Sequence, residues 1–163
     1  MGLFRRTRPP EGVRAVALEP GERRLAWALT PEGEPVLATD RALRLPGAEP
    51  LPWWEVEKAT WARPLLTVLR VATVEGTGER RVVQLETEGD LPDAVRTSVT
   101  GSVGWSSHYR LRPAGGVRVV GRRKPCQDLL DWQLVFDAGT DLGAPEVRAQ
   151  ADELLLAARR TIG

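Results

Sequence analysis

The sequence predicts an α+β fold that is mostly antiparallel β, with one short inserted helix and a longer amphipathic helix at the C-terminus. Three observations predict it. Apolar residues recur at every second position in many short runs, the period of half-buried strands. Clusters of Gly, Pro and charged residues separate those runs as turns do. The period lengthens to that of a helix only near residues 90–100 and from Val147 to Ile162.

Residues 1–11 are basic, end in Pro9-Pro10 and are expected to form a mobile tail ahead of a single domain spanning 12–163. Alternation from Val13 to Leu18 predicts a first strand, closed by the turn Glu19-Pro20-Gly21-Glu22. Leu25, Trp27 and Leu29 then alternate with Arg24, Ala26 and Ala28, and the first set is expected to face the core. Thr30-Pro31-Glu32-Gly33-Glu34 turns the chain into Val36–Thr39, and Asp40-Arg41 turns it again into Leu43–Leu45. A Trp-rich strand is expected over LPWWEVEKATW, 51–61, and another from Leu65 to Val71. Glu75-Gly76-Thr77-Gly78-Glu79 is a hairpin turn leading into Arg81–Leu85; a phosphate loop would open a helix instead.

Asp90 stands where a helix cap belongs, and Leu91, Val95 and Val99 recur every four residues, so a helix of about 10 residues ending at Gly101 is predicted. Strands resume over Val103–Arg112 and Val117–Arg123, joined by Pro113-Ala114-Gly115-Gly116. Leu130, Trp132, Leu134 and Phe136 make the clearest alternating strand. In the last helix Val147, Ala151, Leu154, Leu155, Ala158 and Ile162 form one apolar stripe. Pro145 and Glu146 suit its start, Arg159 and Arg160 its end.

Composition excludes several classes. A net charge of +1 provides no global basic field, so nucleic acid is not an expected partner. One cysteine, Cys126, rules out an internal disulfide, and with one histidine few soft metal ligands remain. No metal or cofactor is expected. No run approaches the length of a membrane span, and MGLFRRTRPP lacks the apolar stretch of a signal peptide, so a cytoplasmic protein is expected. Only Lys58 and Lys124 among the basic residues are lysines, a bias that fits GC-rich coding.

Three stretches, ERRLAWA (22–28), VLATDRALRLP (36–46) and LPWWEVEKATW (51–61), resemble the bacterial pleckstrin-homology-like (PH-like) family of high-GC bacteria. The resemblance covers residues 20–70, and the final strand and helix by their order. It implies a partly open barrel of short strands with one end plugged by the last helix. Members mostly bind peptides, proteins or lipid head groups, so the resemblance implies an interaction module without fixed chemistry.

The candidate binding residues are the basic hairpin Arg110, Arg112, Arg118, Arg122, Arg123 and Lys124, with Trp53 and Trp54. Arg110, Arg112, Arg118 and Arg122 alternate with Tyr109, Leu111, Val117 and Val119, and so are expected to point outward. Trp27 and Trp132 are expected in the core, whereas adjacent Trp53 and Trp54 on a strand must point apart, leaving one accessible. The favoured reading is a non-enzymatic intracellular module that binds a protein segment or an anionic surface. Two alternatives stand beside it: a small hydrolase using His108, which shares a strand face with Ser106, or Cys126; and a homodimer formed through a strand edge or the tryptophan pair.

Overall fold

A computed structural model describes residues 8–71, 78–125 and 127–162. It is α+β, with three antiparallel sheets, and it divides into two compact units, Met1–Val99 and Thr100–Gly163. The expected Glu75–Glu79 turn, most of the basic tail and Cys126 lie wholly or partly outside the described residues.

The first unit opens with a short helix, α1 (Glu11–Ala15), where alternation predicts a strand. The pattern misleads because Val13 alone anchors this segment: it is fully buried while its neighbours are exposed. The Arg24 guanidinium donates to the carbonyls of Arg14 and Val16, at 3.0 Å each, and so satisfies the end of this helix.

Strands β1 (Arg24–Leu29), β2 (Pro35–Thr39), β3 (Ala42–Arg44) and β4 (Leu51–Pro52) pair in that order as one sheet. A 3-10 turn, Trp53–Glu55, leads into β5 (Val56–Ala62), β6 (Leu65–Arg70) and β7 (Arg80–Gln84), which form a second sheet. One buried cluster draws on both sheets: Ala26, Ala28, Val36, Ala38 and Leu43 from one, Val56, Leu66 and Val68 from the other. Leu91 and Val95 of α2 (Leu91–Ser102) complete it. Among the described residues the two sheets of this unit do not close into a barrel. Among the described residues one bridge, Leu29 to Thr87, with Glu86 N–H donating to Leu29 O at 2.9 Å, joins the end of β1 to the chain beyond β7.

The facing of β1 reverses the expectation. Ala26 and Ala28 are buried, Leu25 is 51% exposed and Trp27 is half-buried. Every β1 residue after Arg24 is apolar, so alternation identifies two sets without choosing between them.

The second unit is a three-stranded sheet with β9 (Gly116–Arg123) between β8 (Val103–Arg110) and β10 (Leu130–Phe136), followed by α3 (Pro145–Ile162). Val147 and Ala151 of α3 pack with Leu111 and Val117, flanked by Tyr109, Leu134, Phe136 and Leu154. The apolar stripe docks only in part, since Ile162 is 45% exposed. Trp132 is half-buried, contrary to the expected core position, and rests at 60° against Trp105 with ring centroids 5.5 Å apart.

Candidate functional site

The β8–β9 hairpin sets most of the predicted basic residues on one element of the second unit, and the sheet sorts them. His108 pairs with Arg118 across the ladder, Ser106 with Val120, and Arg110 with Gly116. Side chains directly opposite share a face, so Ser106, His108, Arg110, Arg118 and Arg122 line the face away from the Tyr109–Val117 cluster. Arg123 is exposed on the other face, and Arg112 is exposed just beyond the end of β8.

Arg122 corrects the outward expectation. It is 4% exposed; its Nε donates to Gln133 Oε1 at 3.0 Å and its Nη1 to Ser102 Oγ at 2.7 Å. The alternation assigns it to the right face, but that face is covered at Arg122 and open at Arg118. Lys124 is engaged too, with its ammonium 3.0 Å from Asp131 Oδ1. Arg110, Arg112, Arg118 and Arg123 have no carboxylate within ion-pairing distance among the described residues.

The mount of these arginines is firm. Gln150 of α3 accepts from the Arg112 N–H at 3.0 Å and donates to its carbonyl at 2.7 Å. The hairpin end is therefore tied down through the backbone, and the Arg112 side chain is left to solvent. Arg118 Nη1 reaches Ser106 Oγ at 3.4 Å.

His108 Nε2 lies 2.8 Å from Asp137 Oδ2. An ionised carboxylate only accepts, so Nε2 carries the proton. Gly116 makes this contact possible, because a Cβ there would sit 2.9 Å from His108 Nε2 and against the Asp137 carboxylate. A hydrolytic constellation would add a bond from Ser106 to His108, and none is present among the described residues; Ser106 faces Arg118 instead. Cys126, the other expected nucleophile, lies outside the described residues.

The tryptophan pair belongs to the first unit and sits on a 3-10 turn, not a strand. Trp53 is buried and its Nε1–H donates to Thr39 O at 2.8 Å; Trp54 is half-buried. Beside them lies an ion pair that the sequence reading missed. Glu22 accepts from Arg44 Nη2 at 2.7 Å, from Thr39 Oγ1 at 2.5 Å and from its own turn's Glu19 N–H at 2.8 Å. Burial by itself raises the pKa of this carboxyl. The Arg44 and Thr39 hydrogen bonds, the Glu19 N–H and the Arg44 charge outweigh it and hold the pKa down to about 2. The Arg23 N–H likewise keeps Asp40 below the ordinary carboxylate range. No composition signal marks Glu22, because its partner lies 22 residues away and only folding brings them together.

Among the described residues no helix is long and apolar enough to cross a membrane, and no three His, Cys, Asp or Glu side chains gather as a metal site would require. Comparison with protein-family models, curated proteins and solved structures finds no match to this chain.

Proposed function

We propose that this chain is a non-enzymatic, cytoplasmic interaction module that holds an anionic partner, an acidic protein segment or an anionic surface, on Arg110, Arg112 and Arg118. The observation that carries the reading is that these three guanidiniums are exposed on an anchored hairpin and have no carboxylate partner among the described residues. A planar guanidinium offers paired donors to carboxylate or phosphate oxygens. Each exposed contact is worth about 0–1 kcal/mol, so useful affinity requires several together. What supports a PH-like reading of the first unit is its order of elements: four strands, then three, then a helix whose Leu91 and Val95 enter the core of both sheets. In that reading α2 takes the plugging role that the resemblance assigns to the last helix.

The test compares the parent with an Arg110/Arg112/Arg118→Glu variant against a glutamate-rich peptide, anionic vesicles and single-stranded DNA. The expected outcome is parent binding to the peptide or the vesicles that the variant loses. Parent binding that survives all three reversals, or its absence with every probe, would remove the hairpin from consideration.

A further inference from the structure

The unclosed seam of the first unit offers a second site, built from different residues. β7 pairs with β6 along one edge, and its other edge has no strand partner among the described residues. The seam is fastened at the Leu29–Thr87 bridge. Moving away from it, the chain after Leu29 and the chain before Thr87 separate and leave a cavity of about 350 Å³ between Thr30, Glu32 and Glu34 on one side and Arg81 to Gln84 on the other. Four consecutive residues of β7 line it. A cavity on a sheet face would touch alternate residues, so this one runs along the backbone edge.

Leu45 and Pro46 close the groove, and a second hollow of about 290 Å³ continues past them, sharing Glu34, Leu45 and Pro46 with the first. Pro46, which lines the groove, has no N–H to donate, so the chain cannot continue a ladder along β7 at that position. The lining also has a sign. Arg81 is paired with Glu79 at 2.8 Å and Arg44 with Glu22 at 2.7 Å, whereas Glu32 and Glu34 are exposed with no cationic partner among the described residues. Val82, 48% exposed on β7, adds an apolar contact beside the edge.

We infer that this groove binds an extended segment of a partner protein that pairs with β7 through its backbone and places a lysine or arginine against Glu32 and Glu34. Backbone pairing supplies attachment and the acidic rim supplies selection.

The probe is a pool of random linear peptides displayed on phage and selected on the full chain. Enriched peptides should carry a basic residue within an alternating apolar run. Glu32→Lys/Glu34→Lys should weaken the best peptide by roughly tenfold or more. Both positions lie on an exposed turn, so circular dichroism should be unchanged. Methylating single backbone nitrogens of the peptide should abolish binding at alternate positions and spare those between, as strand pairing requires. The Arg110/Arg112/Arg118→Glu variant should bind this peptide as the parent does, which separates the two sites. Failure to enrich any peptide, binding indifferent to the glutamate reversals, or tolerance of methylation at every position would overturn the inference. So would a stable dimer that Val82→Lys dissociates, because a second copy would then hold the edge.

Discussion

Glu22 tolerates burial only while Arg44 remains beside it, and this makes acid a specific probe of the first unit. The folded-state pKa is depressed to about 2, below an ordinary value of 4.5. The linked stability is therefore fully present above pH 4.5 and is lost as pH falls from there through 2. At its fullest it amounts to about 3 kcal/mol, each pKa unit being worth 1.36 kcal/mol. Glu22→Gln should destabilise the parent at pH 7 by about 2–4 kcal/mol, because Arg44 is left without its partner in a largely buried place. Urea titrations of both proteins at pH 7 and pH 3 check this: the gap between them should narrow in acid. A gap that stays constant would mean that the ion pair is not the source. Arg122 is buried with Ser102 and Gln133 as hydrogen-bond partners, which removes it from any binding surface and gives it a structural role.

At the scale of elements, α3 shows how far an apolar stripe can be trusted. Val147 is 1% exposed against Leu111 and Val117, while Ile162 at the far end of the same stripe is 45% exposed. Val147→Asp should cost more than about 3 kcal/mol by burying an unpaired charge. Ile162→Asp should stay within about 0.5 kcal/mol. Thermal melts of the two variants decide the matter: equal shifts would mean that the helix docks along its whole length, or not at all. The β8–β9 hairpin illustrates the complementary point, because one strand face holds a buried guanidinium at Arg122 and an exposed one at Arg118.

For the molecule as a whole, a net charge of +1 means little long-range attraction toward an anionic partner. Binding by the hairpin would rest on short-range contacts between exposed groups, which salt screens over about 10 Å at 0.1 M. Affinity for anionic vesicles should therefore fall by roughly an order of magnitude between low and physiological salt. Vesicle flotation across a salt series measures it, and salt-independent binding would point to apolar attachment instead.

The sequence by itself determined most of the order of strands from β1 onward, the turns near 30–34, 40–41 and 113–115, and the helical character of 91–102 and 145–162; the single strand expected over 51–61 is instead β4, a 3-10 turn and β5. Those properties are local: a period of two or of three to four, the backbone freedom of Gly, the fixed φ of Pro and the turn-forming side chains of Asx act within a few residues. It also placed most of the candidate hairpin, since its arginines are neighbours along the chain. Only the tertiary structure decided that Ala26 and Ala28, not Trp27, face the core, that Arg122 is covered, and that His108 meets Asp137 29 residues away. It alone decided that the chain forms two units and that, among the described residues, the β7 edge is left without a strand partner beside Glu32 and Glu34. The physical reason is common to all of these. Alternation defines two faces of a strand but not which is buried, and burial and pairing depend on residues brought together from distant parts of the chain.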